Sequence, residues 1–209
     1  MQAQVRKLFS NHIFLIFFGI LVGMFIILGI RFVAYKAEDI HYHANFVLYI
    51  NGQREEFKNP RYYTEVNLCT ADNAMIPATR VHMHDGINDV IHVEASSVTW
   101  GAFFENLGWT FGPTAIITPD GTVYSEYGDN KLNLTLNGLD YTDMGGLANT
   151  VIRDKDRLLI SYGNIDRAVL SSEYNSVASN AQKYDLSKDP KSCGSHDSAT
   201  MKTKFEHMF

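Results

Sequence analysis

The hydrophobic positions of this chain follow two patterns. From Ile13 to Ile30 the sequence reads IFLIFFGILVGMFIILGI, eighteen residues without a charge, bounded by Arg6, Lys7 and His12 before and by Arg31 and Lys36 after. At about 1.5 Å rise per residue the run approaches the roughly 30 Å of a hydrocarbon core, and it is apolar all the way round instead of on one face. It therefore predicts a transmembrane helix meeting membrane lipid through residues 13–30, with Arg31 free to snorkel. A cleaved signal peptide wants a shorter apolar run ending in a small-x-small site. Cutting after Ala34 or Ala37 would leave Phe32 or Tyr35 at the position that must be small, so a retained anchor is expected.

The pattern then becomes period two. In HYHANFVLYI (41–50), Tyr42, Ala44, Phe46, Leu48 and Ile50 share one face, and His41, His43, Asn45, Val47 and Tyr49 the other. Asn51-Gly52 suits a tight turn, with Gln53 to Phe57 as the returning strand. After a long connection over 58–79, a second hairpin is predicted from Arg80–Asp85 and Val90–Ala95. Thr99 can cap a helix whose Trp100, Phe103, Phe104 and Leu107 fall on one side, and Gly108 can end it. That aromatic stripe reads as core packing. Strands are expected again at Thr114–Thr118, Thr122–Glu126, Lys131–Leu136 (turned by Asn137-Gly138) and Arg157–Tyr162. From Ser171 onward the reading is a short helix and then a mobile tail. The fold class is thus mainly β or α+β, antiparallel hairpins with one short helix in β-grasp-like pieces, behind one transmembrane helix. The expected organisation is an anchor (1–34), a linker (35–40), a β-rich domain (41–165) and a polar tail (166–209).

Composition changes this picture little, but charge divides it. The 209 residues are 45% hydrophobic with 15 Gly and 5 Pro, enough to build a core. The net charge of −5 hides a split, because residues 1–37 carry four basic and no acidic groups whereas 38–209 carry fourteen basic against twenty-three acidic. An acidic body argues against a nucleic-acid partner, which needs a basic face. Positive charge is nearly balanced across the anchor, so orientation rests on a weaker cue: Cys69 and Cys193 could pair if the body were outside the cytoplasm. The expectation is a single-pass membrane protein with the N-terminus inside and the body extracytoplasmic. Gly19 and Gly23 form a GxxxG pair that would let two anchors approach as a homodimer.

The candidate chemistry lies in the histidines. Five of the eight fall in two windows, as two HxH pairs and an HxE. By parity His82, His84, His92 and Glu94 share one face of the second hairpin, with Val81, Met83, Ile91 and Val93 on the other. Taking 85–89 as the loop puts His82 opposite His92, close enough for two imidazoles to meet one ion. Placing the first strand alongside would add His41 and His43. The predicted metal residues are thus His41, His43, His82, His84, His92 and Glu94, with His82, His84 and His92 as the leading set. Asp85 and Asp89 are candidates to orient imidazole N–H groups. All-nitrogen ligands suit copper or zinc, and copper binds more tightly.

Taken together, these motifs resemble a group of membrane-anchored proteins of bacteria and archaea that share an HxHA strand with an N-G turn, an HxHD hairpin running into an IHVE-like strand, a helix like WGAFFENLG and a late N-G hairpin ending in an LLISYG-like strand. Here these are His41–Ala44 with Asn51-Gly52, His82–Asp85 with Ile91–Glu94, Trp100–Gly108, and Asn137-Gly138 with Leu158–Gly163. The resemblance implies one coherent domain over most of 41–163 and implies no activity. The leading three-His set also resembles the zinc site of α-type carbonic anhydrases in geometry alone. The favoured reading is transition-metal capture or delivery. The alternatives are a zinc-dependent hydrolase or lyase with Glu94 as base, and an adhesion or assembly module with a pH-responsive histidine patch. No nucleophile motif or Gly-rich phosphate loop supports other catalysis, so the balance leans away from an enzyme.

Overall fold

The computed structural model describes residues 2–35, 40–63, 77–185 and 201–206. Cys69 and Cys193 lie outside them. The chain divides into two compact units, 1–38 with 195–209, and 39–194. In the first, α1 (Gln2–Ala34) contains the expected apolar run. Its stretch Asn11–Ala34, which holds an 18-residue window of mean hydropathy 3.0, is long and apolar enough to cross a membrane.

The second unit is built around one strand. β1 (Tyr42–Ile50) turns through Asn51 and Gly52, whose φ values of 51° and 75° are what an Asn-Gly turn of this hand requires, into β2 (Gln53–Arg54). The return is shorter than the expected 53–57, because Phe57, at φ 44°, leaves the ladder and buries its ring. A helical turn, α2 (Pro77–Arg80), leads into the hairpin of β3 (Val81–His82) and β4 (Val90–Val93). α3 (Trp100–Asn106) follows, with the Thr99 hydroxyl accepting from the Ala102 N–H as the cap. β5 (Thr110–Gly112), β6 (Ala115–Ile117) and β7 (Val123–Ser125) make a separate three-stranded sheet. β8 (Lys131–Leu136), β9 (Leu139–Tyr141), α4 (Met144–Ala148) and β10 (Arg157–Gly163) complete the main framework. α5 (Arg167–Asn175) and α6 (Ala181–Asp185) follow it. In the first unit, α7 (Met201–Glu206) lies against α1, its Lys204 ammonium 5.8 Å from the centre of the Phe32 ring.

The main sheet runs β3-β4-β1-β10-β8-β9, with β2 continuing the β4 side of β1. β1 pairs in parallel with β10, and the other pairings are antiparallel. A first hairpin, a covering helix and a last strand lying parallel to the first make a mixed sheet within the expected α+β class. The faces also separate as parity requires. Ala44, Phe46, Leu48, Val81, Met83, Ile91, Val93, Leu158 and Ile160 meet Trp100, Phe103 and Phe104 of α3 in the core, with Ile116 of the small sheet.

The opposite face is covered as well. Val47 and Leu159 pack with Val177 beneath α5, and α6 lies on β1. The segment read as the start of a tail is therefore part of the domain. Its sheet-facing stripe on α5 and just beyond, Leu170, Glu173, Tyr174 and Val177, has helical spacing but contains a carboxylate and a phenol, which hides its apolar character. α6 is tied down through Asn45, whose Oδ1 accepts from the N–H groups of Asn180 and Ala181 and whose Nδ2 donates to Asn180 Oδ1 and to the Asp89 carbonyl. With net contributions near 1 kcal/mol per bond and little chance of replacement, Asn45→Ala is expected to cost about 2 kcal/mol in urea unfolding and to speed tryptic cleavage at Lys183. An unchanged cleavage rate would mean that other contacts hold α6.

Candidate metal centre

β-sheet register brings the histidines together. In β1–β4 His43 stands opposite His92, and in β3–β4 His82 stands opposite His92, so His92 is the middle of three adjacent strands. Its ring centroid lies 4.7 Å from that of His43, 4.5 Å from His41, 4.8 Å from His84 and 5.1 Å from His82. His43, His82 and His92 are buried, and His41 and His84 are partly exposed. Five imidazoles thus share the non-core face at one end of the sheet, beneath α6, whose Tyr184 ring is 5.7 Å from that of His43.

The atoms facing one another are ligand atoms. His92 Nδ1 is 2.8 Å from His43 Nε2 and 3.2 Å from His84 Nε2. On its other side, His92 Nε2 donates at 2.8 Å to Oε1 of Glu94, a carboxylate that is itself buried. That bond fixes the His92 tautomer with the proton on Nε2 and leaves the Nδ1 lone pair facing the other rings. His41, His43 and His92 each offer one ligand nitrogen, and the three lie within 4.8 Å of one another. Nitrogens at about 2.0–2.1 Å from one tetrahedral ion stand roughly 3.3 Å apart, so a pair as wide as the 4.8 Å limit would have to close by about 1.5 Å for the three to hold one ion. The donor set, neutral imidazoles with a carboxylate behind one of them, fits a borderline metal such as zinc or copper(II).

The set within reach differs from the leading one. His82 takes the expected register opposite His92, but the close group is His41, His43 and His92, because β1 lies beside β4 and contributes its own HxH pair. Glu94 meets His92 Nε2, which gives it an orienting position. Asp85 also orients, accepting from His84 Nδ1 at 2.8 Å. Asp89 does not: its carboxylate faces Arg54 at 3.5 Å, and its backbone carbonyl receives the Phe46 N–H and Asn45 Nδ2. Met83 is fully buried in the core, on the face opposite the histidines, as expected. Tyr184 was not among the expected site residues, and nothing in the polar text around it marks it.

Compared with known protein families, curated proteins and solved structures, the chain matches none.

Proposed function

We propose that this protein is a membrane-anchored, extracytoplasmic carrier of a transition-metal ion, copper or zinc, which it captures or delivers. The observation that supports this most directly is the convergence of His41, His43 and His92, with the buried Glu94 carboxylate behind His92. A carboxylate on the far nitrogen of an imidazole orients a metal-ligating histidine and makes it more basic. The bond to His92 Nε2 gives Glu94 an orienting role behind one imidazole, and carriage is favoured over the hydrolase alternative on that ground. The anchor is α1, retained in the membrane with its N-terminus inside. Gly19 and Gly23 leave open the space a second anchor would fill.

The test uses the full chain in detergent, loaded with copper(II) or zinc and passed through a desalting column. About one ion per chain is expected by elemental analysis. A chain that retains neither metal ends this reading, and self-association that depends on pH in metal-free buffer would then favour the histidine patch.

A further inference from the structure

His92 Nδ1 is approached by two nitrogens, His43 Nε2 and His84 Nε2, yet an imidazole nitrogen has only one in-plane lone pair. An ion bound there would have both nitrogens beside it. The tautomers sharpen this. Asp85 Oδ2 can only accept, so the proton of neutral His84 is on Nδ1 and its Nε2 lone pair faces His92. By the same reasoning Glu94 places the His92 proton on Nε2. Two lone pairs then face each other at 3.2 Å, a repulsive arrangement that a shared cation makes attractive. The separation itself suits one, because nitrogens at about 2.0–2.1 Å from a tetrahedral ion stand roughly 3.3 Å apart.

We propose that His84 is the fourth nitrogen ligand of this ion and the one that governs its exchange, with Asp85 as its positioning residue. This rests on the metal-carrier reading and assigns the step by which cargo enters and leaves. His43 and His92 are buried and locked in the β1–β4 ladder, whereas the β3–β4 ladder ends at His82 and His92, so His84 lies beyond it on the turn. Its side chain retains 12% of its exposure, and that of Asp85, which opens the Asp-Gly turn at φ 55°, retains 47%. Rotating the His84 ring outward lowers the ion from four nitrogens to three and opens a coordination position to an incoming ligand, a water or a donor of the receiving partner. The ion keeps its charge, and no bond other than the metal–nitrogen bond changes.

The experiment compares the full-length wild type with His84→Ala and Asp85→Gly, all in detergent and loaded with copper(II). Glycine accepts the positive φ of position 85, so the second variant removes the carboxylate without straining the turn. His84→Ala is expected to retain its copper, to lose one nitrogen from the hyperfine splitting in electron paramagnetic resonance, and to release the ion to EDTA about ten times faster or more. Asp85→Gly should release it several-fold faster. In the metal-free wild type, nitrogen-15 spectra should show His84 protonated on Nδ1. Unchanged release and splitting in His84→Ala overturn the proposal and leave the carrier reading standing, as does a His84 protonated on Nε2. Complete loss of copper from a folded His84→Ala chain overturns the exchange role, and a wild type that binds no copper sinks both readings.

Discussion

His92→Ala is expected to weaken copper(II) or zinc binding by at least about a hundredfold, roughly 2.7 kcal/mol, while the β-rich domain still folds. Its Nδ1 is the atom that His43 and His84 both approach, and its backbone sits on β4 between the other two histidine-bearing strands. No other imidazole of the five can take that place, because none lies opposite both His43 and His82. The fold survives because the core lies on the other face of the sheet, where Ile91 and Val93 are fully buried. Removing the ring does deprive Glu94 of its Nε2–H donor in a buried setting, which should cost about 2 kcal/mol in denaturant unfolding. Glu94→Gln separates the two effects: its amide keeps the shape of the site but not the charge behind His92, and affinity should fall by about 10–100-fold. Competition against a chromophoric chelator reads both values. A His92→Ala chain that binds metal like the wild type would place the ion elsewhere.

Much of this geometry could be read from parity. A period of two assigned His41, His43, His82, His84 and His92 to the correct face, and counting back from the 85–89 loop gave the His82–His92 register that the β3–β4 ladder shows. The NG turns and the Thr99-capped aromatic helix were legible for the same reason, since their chemistry is local. What parity could not supply is which strand lies next to which. The parallel β1–β10 pairing, and the β1–β4 pairing that brings His43 to His92, join positions 45 or more residues apart and leave no local mark. Coverage was equally hidden. Alternation in β1 suggests a strand with one wet face, yet residues 43–48 are all buried, because α5 and α6 roof the side that carries the polar residues. β5 and α4 escaped for a simpler reason: at three and five residues they are too short for a period to register.

Because one strand carries both the core and the ligands, damage to the core should be visible in metal-dependent stability. Phe46 and His43 lie on opposite faces of β1, three residues apart. The Phe46 ring is fully buried, with ring centroids of Phe103 at 5.0 Å, Phe57 at 5.4 Å and Phe104 at 5.8 Å. Truncating a phenylalanine in such surroundings costs about 3–5 kcal/mol, a large part of the roughly 5–15 kcal/mol that holds a domain together. Phe46→Ala is therefore expected to lose more stability than either Asn45→Ala or His92→Ala, read as a lowered urea midpoint in the fluorescence of buried Trp100 and Trp109. An ion that binds only the folded state gives back about 2.7 kcal/mol at a hundred times its dissociation constant. Saturating zinc should accordingly raise the midpoint of Phe46→Ala by most of what was lost, and should do nothing for Phe46→Ala combined with His92→Ala. A cost below about 1 kcal/mol would remove Phe46 from the core, because only a site able to collapse around the missing ring would hide it. Zinc stabilising the double variant would instead separate the ion from His92, and with it from strand β4.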